Sequence, residues 1–89
     1  MIDSWYVYIL RCSDNSLYTG ITMDIDRRLE EHNNDNVLGA KYTRARRPVT
    51  VVYLESTCSR SEAARRESAI KNLSRQEKER LVKNYSGKL

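Results

Sequence analysis

The sequence predicts an α/β chain of the α+β arrangement, with its elements in the order β-β-α-β-α-α. Three observations predict it. Two β-rich segments near the start are joined by a short polar turn, which makes an antiparallel hairpin. A later run of six residues, Val49 to Leu54, is apolar at almost every position, which is how a strand covered on both faces reads. Two S-x-x-E boxes follow that run, and each opens a helical stretch.

Trp5 to Arg11 (WYVYILR) is aromatic and β-branched and forms the first strand. Ser13-Asp14-Asn15-Ser16 is a turn cluster, and Leu17 to Thr22 (LYTGIT) is the returning strand. Gly20 inside that strand marks a bulge or a place where another group comes close. Asp24 to about Asn33 reads as a helix, with either Thr22 or Asp24 able to cap it. Ile25, Leu29 and His32 repeat on it at helical spacing. Asn33 to Pro48 is polar and contains a glycine and a proline, so it reads as a long loop with room for a short turn. Ser59-Arg60-Ser61-Glu62 and Ser74-Arg75-Gln76-Glu77 start the second and third helices. The third carries Leu81, Val82 and Tyr85 on one side, and the last few residues are expected to fray.

Length and composition set bounds on this plan. With 89 residues, one domain over 1–89 and one modest core are expected. A chain this short buries only about 60–65% of its unfolded surface. No stretch is long or apolar enough to span a membrane. The N-terminus lacks a basic segment followed by a long apolar one, so a cytoplasmic location is expected. Cys12 and Cys58 are too far apart in sequence to make a disulfide framework or a zinc site, and read as reduced thiols.

The net charge of +4 suggests a polyanionic partner without specifying one. Lys41, Arg44, Arg46 and Arg47 crowd into the long loop with no acidic neighbour, and Tyr42 lies among them. This loop is the candidate phosphate-contacting surface. The basic residues of the C-terminal third are offset by Glu62, Glu67, Glu77 and Glu79 and read in large part as solvated helix faces.

Five further residues carry candidate chemistry. Arg28 and His32 are four apart, so they share one helix face. Their place beside an apolar stripe suggests a cleft next to the core, although a solvated arginine and a hydrogen-bonded histidine would fit equally well. Glu67 falls one turn along from Ala63, on the inward side of the second helix. A carboxylate there needs a partner, either a divalent metal ion or an arginine such as Arg28 or Arg66. There are six tyrosines and no phenylalanine. Tyrosine adds a polar handle to an aromatic ring, and Tyr8 and Tyr18 on the hairpin could reach a water or a phosphate. At least one of Tyr6 and Tyr8 is expected to be a packing residue.

Taken together, these residues resemble the GIY-YIG nuclease superfamily. Its first signature corresponds to Tyr6-Val7-Tyr8, with Tyr6 in place of the family's glycine, and its second to Tyr18-Thr19-Gly20. Arg28, His32 and the helical Glu67 follow in the family's order, so the resemblance runs from about Trp5 to Leu81. It is closest to the small stand-alone bacterial members. It implies a three-stranded antiparallel sheet flanked by helices. It further implies that Tyr8 and Tyr18 line the site, with Tyr18 or its water serving in proton removal. Arg28 would bind the scissile phosphate, and His32 would orient a tyrosine or water, or assist as a base. Glu67 would hold a single divalent ion, Mg²⁺ or Mn²⁺. No asparagine after Glu67 is assigned to the site.

The activity so implied is a metal-dependent endonuclease hydrolysing phosphodiester bonds. DNA is favoured over RNA, and a structure-selective role in repair or recombination rests on analogy alone. The alternative is a catalytically silent nucleic-acid-binding module, which would bind with a steep salt dependence and no metal requirement. Nothing specific in the sequence supports a protein-interaction adaptor.

Overall fold

A computed structural model describes residues 4–86; the fraying expected of the last few residues lies outside this range. Strands β1 (Trp5–Arg11), β2 (Leu17–Thr22) and β3 (Thr50–Thr57) form one sheet in the order β2-β1-β3. The central β1 is antiparallel to both neighbours. The helices are α1 (Ile25–Asn34), the one-turn α2 (Lys41–Arg44), α3 (Arg60–Lys71) and α4 (Arg75–Ser86). The predicted order therefore holds, with α2 added inside the segment read as a loop.

Alternation along β1 divides the core into two layers. Val7 and Ile9 point to one face and pack with Ala63 and Ile70 of α3 and Val82 of α4. Tyr8, Leu10 and Cys12 point to the other and pack with Val49 and with Ile25 and Leu29 of α1. The sheet is thus covered on both sides, as the unbroken apolar run of β3 predicts. A register shift at Ile9/Leu10 lets β3 serve both layers: Val51 and Leu54 join the α1 layer, while Val52 and Tyr53 join the α3/α4 layer. β3 also runs past Leu54, because Glu55 is held by Arg66 at 2.9 Å and the Thr57 hydroxyl donates to the Trp5 carbonyl at 2.9 Å. These polar side chains carry no hydrophobic signal, so the sequence reading ended the strand too early.

Local signals set the element ends. Asn15 adopts φ 69° in the hairpin turn, a conformation asparagine tolerates better than most residues. Asp24 caps α1 by accepting from the Arg27 amide at 3.0 Å, while Thr22 braces Asp24 itself. Ser59 accepts from the Glu62 amide. Ser74 and Glu77 make both bonds of a reciprocal capping box. Cys12 is buried, Cys58 is exposed, and both are free thiols.

A charged clamp holds α4 against the hairpin. Arg11 grips Glu79 with both arms at 2.6 and 3.0 Å, and Arg75 reaches Glu79 at 2.8 Å and the Asn15 carbonyl at 2.6 Å. These hydrogen bonds, from Arg11 first, hold the Glu79 carboxyl at about 2 instead of its ordinary 4.5. A carboxylate with a depressed pKa stabilises the fold above its unfolded value and stops doing so as pH falls through its folded one. Glu79→Gln should therefore cost about 1 kcal/mol at pH 7 after solvent screening. In urea melts that deficit should shrink as pH falls from about 4.5 towards 2.

Candidate active site

Tyr8 sits in the middle of β1 with its ring turned towards α1. Its partner on β2 is Gly20. A Cβ at Gly20 would stand 2.6 Å from Tyr8 Cζ, so only glycine lets the ring lie across the neighbouring strand. This is the close approach that a glycine inside a strand predicts.

Beyond Tyr8 lies a buried polar chain. The Tyr8 hydroxyl is 2.9 Å from His32 Nε2, and His32 Nδ1 is 2.9 Å from the Thr43 hydroxyl. Thr43 in turn donates to the Ala40 carbonyl at 3.0 Å. Tyr8 is 1% exposed, and His32 and Thr43 are 0% exposed. Burial shapes the proton affinities of the two ionisable members. It pushes the Tyr8 phenol up to about 12, an effect that Arg28 partly offsets. It pulls His32 down to about 4, with the positive charge of Arg28 adding to the effect. Both groups are therefore neutral at pH 7.

Arg28, one helical turn before His32, extends its guanidinium between the Glu31 carboxylate (2.9 Å) and the Leu38 carbonyl (2.7 Å), and its presence lowers the Tyr8 pKa against the effect of burial. Tyr18 packs edge-on against the His32 ring at 5.3 Å, and its other neighbour is Tyr42, stacked at 5.9 Å. The structure thus gathers Tyr8, Tyr18, Arg28 and His32, with Tyr8 and not Tyr18 bonded to the histidine.

Glu67 lies on α3, in the other layer, yet its charge adds to the raised pKa of Tyr8. Its carboxylate is 23% exposed and pairs with neither arginine named from the sequence but with Lys71, one turn on, at 3.4 Å. Arg66 is bound to Glu55 and Arg28 to Glu31. Neighbours on one helix face find each other at no loop-closure cost, and a sequence scan for distant partners overlooks them.

The basic loop is more constructed than its charge suggested. Arg47 donates to the carbonyls of His32 (2.7 Å) and Asp35 (2.8 Å) and to the Asn36 side chain. It thereby satisfies carbonyls left open at the C-terminus of α1. Arg44 donates to the Asn36 carbonyl at 2.7 Å. Arg46 binds Asp14 at 3.0 Å and lies 4.0 Å over the Tyr42 ring. Gly39 is pressed against the same helix end, where a Cβ would meet the Glu31 carbonyl at 2.7 Å. Lys41, Tyr42 and Arg44 remain exposed. Arg47, counted as a phosphate contact, thus also grips the His32 backbone, while Arg44 and Arg46 tie the loop to Asn36 and Asp14. Thr43, the residue the sequence reading missed, lies just before these arginines. Its only signal was a small hydroxyl residue inside a basic loop.

The donor set suits one kind of metal. Among the described residues no three His, Cys, Asp or Glu side chains converge as a closed cage. A single half-buried carboxylate fits a hard divalent ion that keeps most of its waters and takes its other ligands from phosphate. Glu67, held only by a half-exposed lysine, is free to serve. The clefts along α4, lined by residues such as Arg66, Leu73 and Leu81, contain none of these candidates.

The order of these residues matches a known domain. The family model of the GIY-YIG catalytic domain matches residues 4–80. The chain belongs to the GIY-YIG family. That family is one of nucleases, which implies interaction with nucleic acid. The chain is 56% identical over 80 residues to the UPF0213 protein DP2720 of Desulfotalea psychrophila, covering 90% of this chain and 72% of that one. It is 52% identical over 82 residues to a UPF0213 protein of Staphylococcus aureus strain Mu3, covering 92% and 98%. Two solution structures share the fold. The UPF0213 protein BH0048 of Bacillus halodurans matches with TM-score 0.57 and 49% identity, covering 90% of this chain and 83% of that one. The protein EF2693 of E. faecalis matches with TM-score 0.62 and 44% identity, covering 93% and 86%. This GIY-YIG chain is thus similar to small proteins that consist of little more than the domain. Among its described residues no helix is long and apolar enough to cross a membrane.

Proposed function

We propose that this GIY-YIG protein is an endonuclease that hydrolyses phosphodiester bonds in DNA with the help of one divalent ion, Mg²⁺ or Mn²⁺. The observation that carries the proposal is the buried Tyr8–His32 hydrogen bond of 2.9 Å, with Arg28 one turn before the histidine on the same face of α1. A proton acceptor and a phosphate-binding fork therefore share one face of α1, and the carboxylate ligand would come from Glu67 on α3.

Arg28 binds the scissile phosphate. Its planar fork matches two phosphate oxygens better than a point charge does, and it offsets the negative charge that grows during attack. Tyr8 takes the proton of the attacking water while passing its own to His32 Nε2. One water O–H bond breaks and one N–H bond forms, and the phenol exchanges one proton for another. Phenolate is never released, so the high affinity of Tyr8 for its proton is no obstacle. The imidazolium then gives its Nε2 proton back to the Tyr8 oxygen as the Tyr8 O–H proton passes out to water, which carries a proton to the departing oxygen. Tyr18 packs His32 in place and lines the cleft. Glu67 would hold the metal, which when bound supplies charge neutralisation and a more acidic water. Lys41 and Arg44 lie on the exposed face of the basic loop and add long-range attraction for a polyanion. Contacts of this kind read the backbone and not the bases, which favours recognition of DNA shape over sequence.

The test is cleavage of labelled single-stranded, duplex, flap and branched DNA, and of RNA, with Mg²⁺, Mn²⁺ or EDTA. Metal-dependent cutting is expected on at least one DNA substrate. Glu67→Ala should abolish it while leaving the unfolding midpoint nearly unchanged, because the pair it loses is a single i,i+4 contact to a half-exposed lysine at 3.4 Å. Salt-sensitive binding with no cutting under any metal would instead identify a silent binding module.

A further inference from the structure

Thr43 belongs to none of the motifs that define the site, yet it is the last side chain of the buried polar chain. His32 is neutral and so carries one ring proton, on either Nδ1 or Nε2. Three hydrogens are then available to the chain, on Tyr8, His32 and Thr43, and in the free protein the burial of all three residues leaves each hydrogen to an acceptor within the chain.

With the proton on Nδ1, all three are satisfied. The Tyr8 O–H donates to Nε2 at 2.9 Å, Nδ1–H donates to the Thr43 oxygen at 2.9 Å, and the Thr43 O–H donates to the Ala40 carbonyl at 3.0 Å. With the proton on Nε2, Thr43 donates to Nδ1 and Nε2–H donates to the Tyr8 oxygen. The Tyr8 hydrogen is then left with no acceptor among the described residues, because the hydroxyl's one side-chain partner is Nε2, which now donates. One arrangement places three hydrogens of three; the other places two. We propose that Thr43 is a positioning residue that fixes His32 as its Nδ1–H tautomer, leaving Nε2 open to take the proton of Tyr8. This rests on the nuclease reading for its consequence, but not for the tautomer itself.

The local structure is built for this task. α2 is a single turn, and its first-turn amides at Thr43 and Arg44 close on the Ala40 carbonyl at 3.1 Å each. That carbonyl anchors the Thr43 backbone and side chain alike. Arg47 grips the His32 carbonyl from the adjoining segment, so the ring and its partner are registered from both sides. Once the proton shift has occurred, the Thr43 oxygen continues to accept from Nδ1–H and supports the imidazolium without rearranging.

His32 is the chain's single histidine, so a long-range ¹H–¹⁵N correlation spectrum of ¹⁵N-labelled protein reads its tautomer without ambiguity or substrate. Wild type should show a protonated Nδ1 and an unprotonated Nε2. Thr43→Ser should keep that pattern. Thr43→Val, which keeps the shape and removes the acceptor, should move the proton to Nε2. On whichever DNA the wild type cuts, Thr43→Val should lower the single-turnover rate about 100-fold with DNA affinity unchanged, and Thr43→Ser should restore most of the rate. An Nε2–H wild-type spectrum would overturn the assignment even if Thr43→Val did not fold. A Val variant that kept Nδ1–H would overturn it as well. Absence of cutting by wild type would sink the nuclease reading and leave the tautomer result standing.

Discussion

Arg28→Ala is expected to lower metal-dependent DNA cleavage by about 100- to 1000-fold, the usual range for removing one preorganised donor to a developing oxyanion. The structure explains why so much rests on this residue. Arg28 partly offsets the effect of burial on the Tyr8 phenol, and α1 carries it one turn before His32. Without it the phosphate loses its fork and Tyr8 loses the charge that partly offsets its burial. Arg28→Lys keeps the charge but not the planar pair of donors, so it should fall between wild type and alanine. The fold should survive, because the bond to Glu31 is only part-buried and that to the Leu38 carbonyl exposed, each worth about 1 kcal/mol. A second readout separates electrostatics from positioning. Arg28 helps hold His32 down, so the histidine of Arg28→Ala should titrate above the wild-type value of about 4 in NMR. A full loss of cleavage with an unmoved histidine would mean that Arg28 does not sit where this mechanism needs it.

What could be read from the sequence was what is decided locally. The hairpin follows from two β-branched stretches around a polar turn, and α3 and α4 follow from serine caps that the structure shows bonded to amides three residues on. The Arg28–His32 pairing was legible because a helix puts i and i+4 on one face whatever surrounds it. Gly20 was legible as a point of close approach, though not as the floor beneath Tyr8. The remainder depends on contacts between distant residues. Nothing local distinguishes an arginine that binds phosphate from one that binds the open carbonyls of a helix end, so Arg47 read as a phosphate contact. Tyr8 and Tyr18 are chemically alike, and only the placement of α1 against β1 decides which one meets His32. Thr43 was invisible for the same reason: a hydroxyl gains its role from the ring placed against it across eleven residues of chain.

Acidification should weaken the fold well before the carboxylates titrate, because His32 is buried neutral. Its folded pKa is about 4, against an ordinary 6.5. As pH falls below 6.5, the unfolded chain takes up a proton that the folded chain refuses. Stability is therefore complete above that value and is lost progressively until the folded form also protonates near 4. At about 1.4 kcal/mol per pH unit the whole interval amounts to roughly 3 kcal/mol, with about 1 kcal/mol already lost near pH 5.5. For a domain whose total stability is of order 5 kcal/mol this is a large share. Urea melts at pH 7.5, 6.5 and 5.5 should show the decline in wild type and almost none in His32→Gln, which has no proton to refuse. A flat wild-type profile would mean that water reaches the imidazole and that His32 is charged near pH 6. Such a histidine would still accept the Tyr8 proton at pH 7.5 but would be charged and unable to do so below about pH 6, so a melt performed without any nucleic acid sets the acid limit expected of the reaction. The same burial that makes His32 costly to the fold in acid keeps Nε2 an open acceptor across the neutral range.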